Sequence, residues 1–139
     1  MSTPDIQSLV TRARNEILAA LPDVVAIYVF GSAASGNLGP DSDLDLAVLG
    51  PRPYDGRQLY DLGRSIEVMS GVDIDLVDLI TAPTLLKYEV ITGGRQLHCA
   101  EPDVAFEFEG RSLAEYGRFV EDFAPLFDQI RDTGQAYSP

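Results

Sequence analysis

Three aspartates stand at every second position near the end of the stretch GSAASGNLGPDSDLDL, residues 31–46. Side chains two apart in a strand point to the same face, about 6.5–7 Å from each other, so Asp43 and Asp45 present their carboxylates together. Such a pair is repulsive unless a cation neutralises it, and Mg²⁺ prefers carboxylate and phosphate oxygens. The spacing of Asp43 and Asp45 therefore suits a magnesium site, whereas Asp41 is typical of a turn.

A bare Asp-x-Asp pair is more often a solvated strand edge that resists aggregation. A third acid changes this balance, because the strand predicted over residues 72–80 presents Asp73 and Asp75 on one face. A neighbouring strand that brought one of them beside Asp43 and Asp45 would complete a three-carboxylate set. Such sets hold two metal ions about 3.5–4 Å apart in enzymes of phosphoryl and nucleotidyl transfer.

A glycine and a serine, Gly31 and Ser32, end the strand that precedes the aspartates. Followed by small residues, they predict a tight turn into a short helix whose backbone N–H groups receive a phosphate. A Gly-Ser pair after a strand is usually only a turn, so the prediction of a phosphate site here depends on the aspartates that follow it.

Helices and strands that position these residues are indicated by apolar periodicity and by Gly and Pro punctuation. Thr3 and Pro4 look like the cap and first turn of a helix that Pro22 ends. The remaining predicted elements are a strand over 24–30, a strand over 44–49, a helix within 55–70, a strand over 72–80, a helix over 83–91 and a strand over 95–99. The order of the elements up to this point is helix, strand, turn, strand, helix, strand, helix, strand.

Aromatic and aliphatic residues recur at mostly helical spacing from about Asp103 onward. This spacing predicts a C-terminal helix whose apolar stripe packs against the core, with an acidic outer face. The stripe consists of Phe106, Phe108, Leu113, Tyr116, Phe119, Val120, Phe123, Phe127 and Ile130.

Composition limits the classes of function. The 139 residues suffice for one domain, and the net charge of −12 argues against direct binding of nucleic acid through its phosphates. The same charge is compatible with cations that bridge carboxylates to substrate phosphates, and with a basic protein partner. No apolar run of about 18 residues and no basic leader are present, so we expect a cytoplasmic protein without a membrane segment. The single cysteine, Cys99, excludes a disulfide framework.

The block Gly31-Ser32, ten intervening residues, then Asp43-Leu44-Asp45 resembles the signature of the DNA polymerase β-type nucleotidyltransferase superfamily. More narrowly, the short chain resembles the MNT-type minimal nucleotidyltransferases. The resemblance implies the α+β nucleotidyltransferase fold, in which a small mixed β-sheet is flanked by helices. It places a nucleotidyltransferase domain over residues 1–100 and a C-terminal helical extension over 101–139 packed on the same domain. It selects Asp75 as the third acid, because Leu76-Val77-Asp78-Leu79 follows it.

Members of this group are typically antitoxins that transfer AMP from ATP to a tyrosine of a HEPN ribonuclease toxin. By resemblance, Asp43, Asp45 and Asp75 are the catalytic and metal-binding residues, holding Mg²⁺, with two ions expected. Gly31, Ser32 and Ser42 are then the nucleotide-binding residues. Many relatives carry an arginine where this chain has Ser35.

Two alternatives stay open at this stage. One is a nucleotidyltransferase that modifies a small molecule of the aminoglycoside type, which the acidic surface suits. The other is an antitoxin that neutralises its partner by binding alone, without catalysis.

Overall fold

The computed structural model of the chain describes residues 5–36 and 43–133. Within them, a four-stranded mixed sheet of order β3-β2-β1-β4 is flanked by helices on both faces. The elements in chain order are α1 Ile6–Ala20, β1 Ala26–Phe30, β2 Leu44–Leu49, α2 Gly56–Ser70, β3 Ile74–Asp78, α3 Thr84–Gly93, β4 Arg95–Cys99 and α4 Pro102–Thr133. The predicted α+β fold with a small mixed sheet is confirmed.

Strands bounded by Gly or Pro were the best predicted elements: β2 and β4 begin and end where the sequence indicates. Helix α1 begins at Ile6 with Asp5 in the N-cap position, and the predicted cap Thr3 and first-turn Pro4 lie outside the described residues. Strand β1 begins at Ala26, two residues later than predicted, because Val24 lies in the turn after α1 and donates its N–H to Leu21.

Two hydrophobic clusters lie on the two faces of the sheet. On one face Ile27 and Val29 of β1 pack against α1 and α2, and on the other Tyr28 and Phe30 pack with Val90 of α3 and Phe108 of α4. All five residues of β1 are buried, which accounts for its uninterrupted apolar sequence. The α3 side of the sheet is also the side on which Asp45 lies, in step with Ala47 of the same strand.

Strand β3 begins two residues later and ends two residues earlier than the predicted 72–80, and the side chain of Asp78 accounts for the earlier end. The backbone N–H of Ile80 donates to Asp78 Oδ1 at 2.9 Å, which closes a turn, and the N–H of Tyr54 donates to Oδ2 at 2.8 Å. Asp78 is only 8% exposed and lies on the aliphatic side of the strand. Its carboxylate therefore ties the loop before α2 to the end of β3.

Replacement of this carboxylate should destabilise the protein. Asp78→Ala leaves two backbone N–H groups without their acceptor, so we expect the free energy of unfolding to fall by about 2–3 kcal/mol. Urea denaturation followed by circular dichroism measures the loss. Asp78→Asn, which keeps one acceptor oxygen, should lose less; equal stability of Asp78→Ala and the parent chain would contradict this role.

The C-terminal helix α4 differs from its prediction. Its apolar residues form two stripes, of which one packs on the domain and the other faces outward. Phe108 is buried, and Tyr116 stacks on Tyr88 of α3 with ring centroids 3.7 Å apart. Phe106, in contrast, is 78% exposed and Phe123 is also exposed, so the expectation of a single core-facing stripe was wrong. The side chains of Phe127 and Ile130 lie outside the described part of the chain.

Candidate active site

Strand directions bring the chemistry of the opening stretch to one edge of the sheet. Strand β1 is antiparallel to β2 and to β4, whereas β2 and β3 run parallel. The carboxyl end of β1 therefore meets the amino ends of the other three strands. The turn after β1, the aspartates before and within β2, and the acids of β3 all lie along this edge.

The strand register places Asp75 directly beside Asp45. The two are partners in the parallel pair of β2 and β3, and neighbouring partners have their side chains on the same face of the sheet. Asp73 lies before β3, where its carbonyl accepts a hydrogen bond from the N–H of Leu44 at 2.8 Å. The geometry thus distinguishes Asp75 from Asp73, which the residue pattern alone did not. Asp43 immediately precedes β2 and is exposed.

Gly31 has two reasons to be glycine. Its φ of +70° lies in the left-handed region that side chains with a Cβ disfavour. In addition, a Cβ on Gly31 would overlap Oδ2 of Asp45, since Phe30 is the antiparallel partner of Asp45. The turn from Gly31 to Ala33 is a short 3₁₀ helix in which the N–H of Ala34 donates to the carbonyl of Gly31 at 3.2 Å. The backbone of Gly31 therefore forms a wall against which the Asp45 carboxylate lies.

Like charges act on Asp45. Burial, then the negative charges of Asp75, Asp43 and Glu89, raise the pKa of the Asp45 carboxyl from 3.8 to about 6. The charge of Asp45 is thus held at a cost that a bound cation would remove. Glu89, on α3, is one of the acids that act on Asp45, although the sequence analysis did not single it out. The only signal was its charge, because no motif links an acid on α3 to β2.

The remaining predicted residues are placed as follows. Ser32 lies half-buried within the 3₁₀ turn, and its carbonyl accepts a hydrogen bond from the hydroxyl of Ser35 at 3.1 Å. Ser35, where many relatives have arginine, is exposed at the end of this turn. Ser42 and Asp41 lie outside the described residues.

The donor chemistry fits magnesium. Three carboxylates from Asp43, Asp45 and Asp75 lie along one edge, and carboxylate oxygens are the ligands that this hard cation prefers. In the described part of the chain, no group of three or more His, Cys, Asp or Glu side chains is gathered closely enough to hold a metal ion. The three carboxylates are therefore neighbours on one face of the sheet and do not form a closed cage.

The raised pKa of Asp45 gives a test by stability. Because the folded chain binds this proton more tightly than the unfolded chain, stability falls as pH rises from about 4 to about 6 and stays lowered above that range. We expect Asp45→Asn to melt at a higher temperature than the parent chain at pH 7.5 in a chelator, and the difference to shrink at pH 4.5. Differential scanning calorimetry at both pH values measures it.

The matched control for this experiment is Asp122→Asn, which removes one exposed charge of α4 that is not among the charges raising the pKa of Asp45. It corrects for the general benefit of lowering a net charge of −12. Addition of magnesium should then stabilise the parent chain more than Asp45→Asn. Equal pH dependence of the two Asn variants would contradict the electrostatic account of Asp45.

An open groove of about 580 Å³ runs beside β3, which is an edge strand of the sheet. Helix α2 lines one side of the groove through Leu59 and Gly63, and Pro83 and Leu86 line the other. Asp75 also lines it. The candidate third acid is therefore accessible from outside the protein.

Comparison with known proteins agrees with this geometry. The family model for polymerase β nucleotidyltransferases matches residues 14–103. The chain is 36% identical over 110 residues to the protein adenylyltransferase MntA of Shewanella oneidensis, covering 79% of this chain and 78% of that protein.

Two solved structures are also similar. A toxin–antitoxin complex with AMP-PNP matches with a TM-score of 0.78 and 27% identity, over 87% of this chain and 97% of that chain. A complex of tri-AMPylated HEPN toxin of Shewanella oneidensis with its MNT antitoxin matches with a TM-score of 0.75 and 25% identity, over 91% of this chain and 98% of that chain.

The chain thus belongs to the polymerase β family of nucleotidyltransferases. Within that family it is a homologue of the protein adenylyltransferase MntA. The resemblance deduced from Gly31, Ser32, Asp43 and Asp45 is confirmed at both levels. None of the helices within residues 5–36 and 43–133 is long and apolar enough to cross a membrane.

Proposed function

We propose that this chain is an antitoxin that transfers AMP from ATP to a tyrosine hydroxyl of a HEPN ribonuclease toxin and so neutralises it. The observation that carries the proposal is the register that sets Asp75 beside Asp45, next to the Gly31-Ser32 turn. Support comes from relatives solved with AMP-PNP and with an AMPylated HEPN toxin.

The three carboxylates share a metal-binding role in this proposal. Asp43, Asp45 and Asp75 would hold Mg²⁺, with two ions expected. Such ions neutralise the charge that develops on the transferring phosphoryl group. Gly31 and Ser32, together with Ser42, take the nucleotide phosphates. The close approach of the Gly31 backbone to Asp45 supports this, because it sets the turn that would take the phosphates beside a carboxylate that would hold a cation.

Transfer itself requires an activated hydroxyl. The tyrosine oxygen attacks the α-phosphorus of ATP in line; a new P–O bond forms, the bond to the bridging oxygen breaks, and pyrophosphate leaves. Asp75 is exposed on the open side of the edge strand and lines the groove, so one of its carboxylate oxygens can accept the hydroxyl proton. An open groove admits a side chain that protrudes from another protein.

The proposal also covers the cellular location and the domain organisation of the chain. A reaction that consumes ATP on a ribonuclease fits the cytoplasm, where both are found. We assign catalysis to residues 1–100 and a supporting role to the helical extension over 101–139, which begins near the end of the family match at residue 103.

The direct test is labelling. The purified chain is incubated with its cognate HEPN protein, Mg²⁺ and ATP labelled at the α-phosphate, and the HEPN protein is analysed by mass spectrometry. We expect AMP on a tyrosine, and transfer of label to an aminoglycoside instead would favour a small-molecule acceptor. Full neutralisation in cells by an Asp43→Ala, Asp45→Ala double variant would favour neutralisation by binding.

A further inference from the structure

An outward-facing seam runs along helix α4. We define it by residues spaced alternately four and three apart, the interval at which one helix packs along another. Large and small side chains alternate in it. Its members are Phe106, Gly110, Leu113, Gly117, Val120 and Ala124.

The first four residues of the seam are exposed in this structure, whereas Val120 and Ala124 are half-buried. Phe106 is 78% exposed and Leu113 is 42% exposed, and the two belong to one contiguous row. A Cβ added at Gly110 or Gly117 would meet no described atom within 4 Å. The glycines therefore open shallow gaps between the large side chains of the seam.

The fold of the chain does not use the seam. Helix α4 is attached through its opposite side, where Ala105, Phe108 and Ser112 are buried. Lys87 of α3 adds an ion pair to Glu115 at 3.2 Å, and Thr84 donates a hydrogen bond to the same carboxylate at 2.6 Å. An apolar row left outside an already anchored helix indicates a partner.

We propose that the seam docks a helix of the acceptor protein, with large aliphatic side chains in the glycine gaps and Lys or Arg along its flank. The identity of this partner rests on the proposed function, whereas the exposure of the seam does not. Glycines at every seventh position let two helix axes approach closely, so that Phe106 and Leu113 interlock with the facing helix.

Charge decides between a basic partner and a second copy of this chain. Glu107 and Glu121, one position beyond the large seam residues, are exposed and flank the seam where facing helices place their charged contacts. Antiparallel packing of two copies would set these acids against each other, and each copy carries a net charge of −12. Arg111 and Arg118 lie further round the helix. A helix with basic flanking residues relieves the repulsion that a second copy would add.

The seam also lies on the appropriate side of the molecule. Helix α4 packs with α3 on the face of the sheet that holds Asp45, through contacts of Phe108 in the same cluster as Tyr28 and Phe30. A protein docked on α4 is thus held on the same side as the carboxylates. Pro125 removes one backbone hydrogen bond near the end of the seam, so its regular part runs from Phe106 to Val120.

The test compares two substitutions of the same glycines. Gly110→Leu with Gly117→Leu fills the gaps, whereas Gly110→Ala with Gly117→Ala raises helix propensity while filling far less space. We expect the Leu pair to weaken the complex with the cognate HEPN protein roughly 10- to 100-fold, from the cost of overpacking, and the Ala pair to bind nearly as the parent chain. Isothermal titration calorimetry gives the affinities, and thermal melts show that both variants stay folded.

Two adjacent acids give the matched test of charge. Glu121→Lys places a positive charge beside the seam, and Asp122→Lys makes the same change on the opposite side of the helix. We expect roughly tenfold weaker binding for Glu121→Lys and little change for Asp122→Lys, with the difference reduced at high salt. Equal effects of the two substitutions would contradict the proposal that the docked helix carries Lys or Arg along its flank.

A peptide probe makes the seam testable without the acceptor protein. A synthetic four-heptad helix with Leu along its seam and Lys along both flanks should bind the parent chain and lose binding to the Leu pair, while its Glu-flanked counterpart should not bind. If HEPN labelling succeeds but the Leu pair binds HEPN protein normally, the docking inference is wrong and the proposed function stands. If no HEPN complex or labelling occurs but the Lys peptide binds as expected, the proposed function is wrong and the seam stands. Dimerisation of the parent chain that the Leu pair abolishes would assign the seam to a second copy.

Discussion

Asp45→Asn is expected to lower the transfer of AMP roughly 10³-fold, because in the proposed site it removes a charge that would hold a metal ion, and with it about 4 kcal/mol of transition-state stabilisation. Asparagine has nearly the same shape as aspartate, so the half-buried position in β2 stays filled. The raised pKa of Asp45, about 6, shows that this charge opposes the stability of the chain on its own. Activity should therefore fall while the melting temperature in a chelator rises, an opposition that a structural residue does not produce.

The control for this prediction is Asp73→Asn. Asp73 is an acid on the same edge, but it lies before β3, and Asp75 holds the position beside Asp45. We expect Asp75→Asn to lose transfer and Asp73→Asn to retain most of it, both measured as initial rates with α-labelled ATP at saturating magnesium. Normal labelling by Asp45→Asn, or a larger loss for Asp73→Asn than for Asp75→Asn, would overturn the assignment of the site.

Local sequence was enough to place the first two acids. The turn residues before Asp43 and Gly50-Pro51 after Leu49 mark the two ends of β2. The alternation of side chains along a strand then predicts that the carboxylates of Asp43 and Asp45 share one face. Strand β4 was equally clear, because Gly93 and Gly94 precede it. These features depend on residues that lie only a few positions apart in the chain.

Features that depend on pairing between distant segments were not available from local sequence. The choice of Asp75 over Asp73 rests on the register that pairs Leu44 with Ile74, and a shift by one residue would turn both acids to the other face. Glu89 acts on Asp45 from a helix more than forty residues away in the chain. The family resemblance selected Asp75 from the residues that follow it, whereas periodicity and residue type alone indicated neither the register nor the effect of Glu89.

Helix α4 illustrates a second limit. Helical spacing of aromatics correctly predicted a helix, but spacing alone does not say which of two apolar stripes faces the domain. The deciding contact is the stacking of Tyr116 on Tyr88, which belongs to another helix. The exposed seam that results is evident only once that contact is known.

Gly31→Ala is expected to damage both stability and catalysis, for separate reasons. The left-handed backbone at φ +70° costs a residue with a Cβ about 1–2 kcal/mol, which should appear as a lower free energy of unfolding. The new methyl group also occupies the position of Asp45 Oδ2 and must push that carboxylate aside. Because a displacement of about 1 Å at a reacting centre can cost 10²-fold in rate, we expect AMP transfer to fall by about that factor.

Two other glycines separate the strain from the displacement of Asp45. Gly36 and Gly71 have φ values of +79° and +73°, but a Cβ at either position would meet no described atom within 4 Å. Gly36→Ala and Gly71→Ala should thus share the loss of stability, measured by urea denaturation, without the loss of catalysis at temperatures where all three variants are folded. If the methyl group acts through the Asp45 side chain, the Gly31→Ala, Asp45→Asn double variant should lose no more than Asp45→Asn alone, which is about tenfold beyond Gly31→Ala, because the two changes then affect the same interaction. Fully multiplicative losses of rate in the double variant would instead mean that Gly31 contributes by a route that does not pass through Asp45.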